Sequence, residues 1–212
     1  MTKLEKLFND PIAMLFVKAR VWTNDVYQWW CSVTNYLIAG LKGIRMVNMP
    51  RCTGRPYFLR VPGSSIRLGR NCLLNSSFKS NNIGIGRRTL ISTNAAGARI
   101  EIGDNVGMSS ATISAFQHIS IGSDTLLGGN VLITDSDWHP IDPELRHDSS
   151  HKRCAPVHIG HNVFIGTRSI VLKGSKIGDN SVIGAGSVVC GEIPANVIAA
   201  GNPCRVIRSI QH

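Results

Sequence analysis

The stretch from Val157 to Val189, VHIGHNVFIGTRSIVLKGSKIGDNSVIGAGSVV, decides the fold. Ile159, Ile165, Val171, Ile177, Ile183 and Val189 stand six residues apart, and Gly160, Gly166, Gly178 and Gly184 follow four of them. One inward aliphatic residue per six, with a small residue at the turn and a polar remainder, suits a parallel β-helix of triangular section, three hexapeptides to a coil of about 18 residues. Coils stacked about 4.8 Å apart would bury a column of Ile, Val and Leu. A sandwich of half-buried strands is the alternative, but its alternation has period two.

Outward from this stretch, Leu68-Gly69, Ile85-Gly86, Ile102-Gly103 and Ile121-Gly122 carry the pattern back to about Ser65 in steps of 17, 17 and 19. The expectation is a β-helix over 63–190 with roughly six coils, and a tail, 191–212, packed on it. Residues 1–62 differ: Leu4, Leu7, Phe8, Met14, Leu15, Val26, Trp29, Trp30, Val33 and Leu37 fall at helical spacing. Two short helices are predicted there, broken near Pro11 and ended near Gly40 to Gly43. Trp22, Tyr27, Trp29, Trp30 and Tyr36 stand beside Lys18, Arg20, Lys42 and Arg45. Such a segment either packs on its parent domain or lies at a membrane–water interface, where amphipathic rings and basic side chains suit the headgroups.

The length of 212 residues favours one domain with an appendage, and 43% hydrophobic against 17% charged residues excludes a largely disordered chain. The net charge of +10 is uneven: Val26 to Ile100 holds no Asp or Glu and eleven Lys and Arg. A one-signed stretch attracts anions, whether cofactor phosphates, an acidic glycan, lipid or nucleic acid; a solvated basic face is the plainer reading. No nucleic-acid-binding motif accompanies it, so no nucleic-acid partner is expected. Six cysteines without a CxxC pair, no signal-peptide pattern and no apolar run near 20 residues point to reduced thiols and a cytoplasmic protein, with peripheral attachment at the inner face of the membrane as the variant.

The large interruption of the repeat, loop 134–156, concentrates Asp135, Asp137, Trp138, His139, Asp142 and Glu144. Insertions in a solenoid emerge as loops on one face, commonly where function sits. The loop residues HPIDPELR (139–146), the run PVHIGHNVFIG (156–166), IGAGSVV (183–189) and AAGNPCRVI (199–207) resemble the hexapeptide-repeat acyltransferases, and within them the maltose and galactoside O-acetyltransferases and the surface-polysaccharide O-acetyltransferases. The resemblance covers roughly Ile66 to Arg208. It implies a mainly β, left-handed parallel β-helix, a homotrimer with sites between subunits, and acetyl-CoA along the flank as acyl donor. A sugar or polysaccharide acceptor follows from the same resemblance.

Residue by residue, His139 falls on the catalytic histidine, a general base for the acceptor hydroxyl. Asp135 and Asp137 are candidates to orient the imidazole or bind sugar hydroxyls, with loop capping as the alternative. Trp138 would stack on a sugar or anchor the loop, and Glu144 joins the acceptor-binding candidates. By the resemblance, Phe164 matches an aromatic beside the site, Thr167 and Ala185 match positions that line the pantetheine arm, and Arg208 matches a basic residue near the nucleotide end. Gly191 occupies a place where relatives often carry lysine, and 107–112 lacks their acceptor-binding asparagine. His147 with His151, and His158 with His161, offer no third ligand at matching spacing, so no metal is expected. Cys190 has no adjacent base to make it a nucleophile. The alternatives are an N-acetyltransferase on an amino sugar, a serine O-acetyltransferase, or a non-catalytic scaffold.

Overall fold

A computed structural model describes residues 11–210. A single α-helix, α1 (Pro11–Leu41), precedes the coils. Leu4, Leu7 and Phe8, in the first expected helix, lie outside the described residues. Gly43, at φ +72°, ends α1 as Ile44 N–H reaches back to the Ala39 carbonyl at 3.0 Å.

The rest is the left-handed parallel β-helix, each coil giving one strand to each of sheets A, B and C in turn. The first coil is β1 (Arg45–Met46), β2 (Arg51–Gly54) and β3 (Tyr57–Leu59); the second β4 (Ser65–Leu68), β5 (Leu73–Ser76) and β6 (Leu90–Thr93). The third is β7 (Arg99–Ile102), β8 (Gly107–Ser109) and β9 (Thr112–Ala115), and the fourth β10 (His118–Ile121), β11 (Leu126–Leu127) and β12 (Leu132–Thr134). The fifth is β13 (Val157–Ile159), β14 (Phe164–Ile165) and β15 (Ile170–Val171), and the sixth β16 (Lys176–Ile177), β17 (Val182–Ile183) and β18 (Val188–Val189). β19 (Glu192–Ile193) and β20 (Val197–Gly201) begin another, and β21 (Cys204–Ser209) turns back antiparallel on β20.

Two expectations need correcting. The coils begin at Arg45, not near residue 63, because Ile44, Cys52 and Phe58 already fill core positions. Ile85-Gly86 is no strand of the repeat: it lies in a 13-residue excursion, 77–89, between β5 and β6, with Ile85 buried beneath it. The two steps of 17 are thus one lengthened coil.

Inward residues stack as the period demands: Leu68, Ile102, Ile121, Ile159 and Ile177 from sheet A, Leu74, Met108, Leu127, Ile165 and Ile183 from B, and Ile91, Ile113, Ile133, Val171 and Val189 from C, all buried. Each contributes about 1.5–3 kcal/mol of apolar burial. At the A-to-B edge the Ile-Gly-x-Asn pattern becomes legible: Asn71, Asn105, Asn162, Asn180 and Asn196 adopt positive φ, and their amides bond from coil to coil, as Asn180 Nδ2 does to Asn196 Oδ1 at 2.9 Å.

The second half of α1 lies across the first coil. Ser32 Oγ accepts from Cys52 N–H at 2.9 Å, and Asn35 Nδ2 donates to the Gly54 carbonyl at 3.0 Å, tying it to β2. Trp22 and Trp29 of the aromatic stripe do not pack on the coils as the first reading would have it, whereas Tyr27 and Trp30 face the turn at Gly54–Arg55. Trp22 is 69% exposed and Trp29 60%, because the residues that turn inward are Cys31, Ser32, Asn35 and Ala39.

Candidate functional site

Loop 135–156 leaves β12 on sheet C and returns to β13 on sheet A, so it projects from the C-to-A edge as an ear. Its base is pinned by an antiparallel bridge between Ser136 and Cys154, with Asp137 N–H bonded to the Arg153 carbonyl at 3.0 Å and Ala155 N–H to the Asp135 carbonyl at 2.9 Å.

Asp135 is fully buried, and its carboxylate accepts three backbone N–H groups: Phe116 at 2.7 Å, Gln117 at 2.7 Å and His118 at 2.8 Å. Both oxygens are thereby spent on the preceding coil's turn. Asp135 therefore does not reach an acceptor, and its place among the acceptor-binding candidates is corrected to a positioning one. Asp137 differs: Oδ1 meets Lys173 Nζ at 3.1 Å, while Oδ2 is buried with no hydrogen-bond partner among the described residues. An unspent acceptor thus stands two residues from His139.

Trp138 holds φ +66°, a conformation that costs an L-residue with a bulky side chain about 1–2 kcal/mol. Its indole N–H donates to Thr134 Oγ1 at 3.1 Å, and its ring meets Phe116 edge-on at 5.1 Å. The indole is turned back onto the loop's own base while remaining 46% exposed. His139 follows, exposed, its ring without a hydrogen-bond partner among the described residues, and Pro140 behind it is buried. An imidazole free at both nitrogens on a backbone fixed from two sides can accept a proton and return it.

The rest of the ear is held locally. Asp142 Oδ1 accepts from Glu144 N–H at 3.0 Å, Arg146 reaches the Ile141 carbonyl at 2.9 Å, and Asp148 caps the short turn Ser149–His151. Glu144 itself is exposed at the ear's outer side. His158 belongs elsewhere, on the flat of sheet A against Ser120 Oγ at 2.8 Å, and His161 accepts from Ser123 N–H at 3.1 Å. Among the described residues no three His, Cys, Asp or Glu side chains converge as metal ligands.

The donor-side candidates occupy another part of the prism. Phe164 is half-exposed on sheet B, in the outward row Leu126, Phe164, Val182 and Ile198 that ends beside Arg208 on β21. Thr167 and Ala185 sit in successive B-to-C turns stacked so closely that a Cβ on Gly166 would lie 2.5 Å from Ala185 N. Within one chain, His139 on the C-to-A edge and Thr167 and Ala185 on the B-to-C edge are separated by sheet C. Lys173 and Phe116, which the sequence did not single out, gain their roles only through this folding; no local spacing marks either.

The model of the bacterial transferase hexapeptide (six repeats) matches residues 156–191. The galactoside O-acetyltransferase of Escherichia coli (strain K12) is 44% identical over 115 residues, 54% of this chain and 56% of that protein. The galactoside O-acetyltransferase of Lactococcus lactis subsp. lactis (strain IL1403) is 35% identical over 144 residues, 68% of this chain and 62% of that protein. The chain thus spans some three fifths of the length of these relatives. A hexapeptide-repeat acetyltransferase of Vibrio cholerae O1 biovar eltor, solved with acetyl coenzyme A, covers all of both chains at 20% identity and a TM-score of 0.51, a likeness of fold. The chain therefore carries the hexapeptide repeat of the bacterial transferases and is similar in sequence to the galactoside O-acetyltransferases.

Proposed function

We propose that the protein is an acetyl-CoA-dependent O-acetyltransferase acting on a sugar hydroxyl of a surface polysaccharide or its lipid-linked precursor, with His139 as general base. The observation that carries this reading is the unpartnered, exposed His139 imidazole at the root of a braced ear, in a chain similar to two galactoside O-acetyltransferases. A sugar hydroxyl is a poor nucleophile at neutral pH, whereas an imidazole can remove its proton as the C–O bond forms. The thioester supplies an activated acyl carbon. His139 takes the hydroxyl proton as the oxygen attacks that carbon; the C–S bond breaks, and the imidazolium returns the proton to the leaving thiolate. No acyl-enzyme is formed.

The separation of His139 from Thr167 and Ala185 within one chain supports a homotrimer in which one copy's ear closes on the next copy's B-to-C edge. Phe164, Thr167, Ala185 and Arg208 would receive the donor, and Trp138, Asp137 and Glu144 the acceptor. The exposed stripe of Leu15, Trp22, Val26 and Trp29, with Lys18 and Arg20 beside it, supports peripheral contact with the cytoplasmic membrane face. Among the described residues no helix is long and apolar enough to cross a membrane.

The test is CoA release from acetyl-CoA with and without a panel of mono- and oligosaccharides, for wild type and His139→Ala together. Acceptor-dependent release that drops by about 10²–10⁴-fold in the variant is expected; unchanged turnover would remove His139 from the chemistry.

A further inference from the structure

The B-to-C edge does more than stack turns. Towards the first coils, α1, the turn at Gly54–Arg55 and the excursion 77–89 enclose a cavity of about 540 Å³. Its walls include Tyr27, Trp30 and Phe78, and three cations, Arg55, Arg87 and Arg88. All three arginines are exposed, and among the described residues none has a carboxylate partner. None is available nearby in sequence, since Val26 to Ile100 holds no acidic residue. Like charges brought together around one cavity repel, and no carboxylate among the described residues pairs with them.

This cavity adjoins the donor edge. A second one, of about 490 Å³, shares Gly86 and Arg87 with it and is bounded further along by Asn130 and Arg168, next to Thr167. Gly129 completes the connection: a Cβ there would stand 3.0 Å from Ile83 Cγ2 and 3.7 Å from Thr167 Oγ1. The arginine cavity thus leads, by way of the second one, to the turn that carries Thr167, one of the proposed donor residues.

We propose that this cavity binds the phosphate- or diphosphate-ester group of the acceptor. Guanidinium forks match phosphate oxygens bidentately, and three of them suit the charge of a diphosphate. The aromatic wall suits the group that follows, a sugar face or an apolar chain. The inference rests on the acetyltransferase reading for the word acceptor, but not for the binding itself. The shared chemistry has two sources, a nucleoside diphosphate sugar or a polyprenyl diphosphate sugar.

Isothermal titration of the full chain with pyrophosphate, uridine diphosphate–glucose and glucose tests the soluble source. Retention on phosphatidylcholine vesicles with and without polyprenyl diphosphate tests the lipid source. The expected result is binding in at least one diphosphate arm and none to glucose or plain phosphatidylcholine, with at least a tenfold loss in Arg55→Gln/Arg88→Gln. The pair Arg45→Gln/Arg67→Gln, equal in charge but on sheet A, should bind as wild type does. No diphosphate binding in either arm, or equal loss in both pairs, would overturn the site. Because acetyl-CoA and His139 take no part, diphosphate binding without acetyl transfer would sink the enzymatic reading and leave this one standing.

Discussion

Removing the Asp135 carboxylate would take the acceptor from three partly buried backbone N–H groups at once. A lost hydrogen bond to a charged acceptor costs about 1.5–3 kcal/mol and water can reach part of this turn, so Asp135→Ala should lower the unfolding free energy by about 1–3 kcal/mol in a denaturant titration. A carboxylate that instead served only the acceptor would leave stability unchanged. That the break in the hexads leaves the coils as a loop was legible from the sequence, but nothing in it separates a carboxylate that faces three amides from one that faces a ligand. The difference lies in a turn 17 to 19 residues upstream. His158 gives a second test. Burial, then the charges of His118 and Lys176, hold its imidazole below the usual histidine value of 6.5. Well above pH 6.5 the residue is neutral in both states and contributes nothing. As pH falls through 6.5 the unfolded chain takes the proton before the folded one does, so stability declines until the folded value is passed. Denaturation midpoints between pH 7.5 and about 5 should fall less steeply in His158→Gln than in wild type.

At the scale of elements, hexad spacing exposed the aliphatic column but not the polar half of the repeat. Ser169, Ser175, Ser181 and Ser187 are fully buried, their hydroxyls bonded to carbonyls such as Gly184 O at 3.0 Å from Ser169 and Val189 O at 3.1 Å from Ser175. Binary patterning counts such serines as surface. It likewise missed the 77–89 excursion, because Ile85-Gly86 imitates a repeat dipeptide at a plausible step. The glycines that follow the aliphatic residues are testable as elements of stacking. Gly166→Ala places a Cβ 2.5 Å from the Ala185 nitrogen, a backbone atom that cannot swing aside. It should cost on the order of 1–3 kcal/mol by thermal denaturation, whereas Gly191→Ala, with nothing within 4 Å, should cost little. For α1, about 46 Å long by its 31 residues, the exposed stripe predicts cosedimentation with anionic vesicles that Trp22→Ala/Trp29→Ala weakens several-fold. Equal retention of both proteins would leave the stripe to another role.

For the whole molecule, a three-sided prism separates what one chain must bring to a site. The ear stands on one edge and the turns holding the proposed donor residues Thr167 and Ala185 on another, with sheet C between them, so under the proposed function a single copy would present two half-sites. In the proposed homotrimer, a closed ring of three copies would join each half to the complementary half of a neighbour. The consequence is measurable without a structure of the assembly. His139→Ala alone lacks the base, and Ala185→Trp alone fills the groove; each homotrimer should be inactive. If the two are unfolded together and refolded at equal concentration, some interfaces pair an intact His139 with an intact groove, and activity should return to about one quarter of wild type, the statistical share of such interfaces. Sedimentation of the mixture should give the mass of three chains. Were base and groove of one site supplied by the same chain, every site in the mixture would carry one lesion or the other and no activity would return. Recovery near one quarter would therefore establish both the oligomer and the sharing of the site between copies.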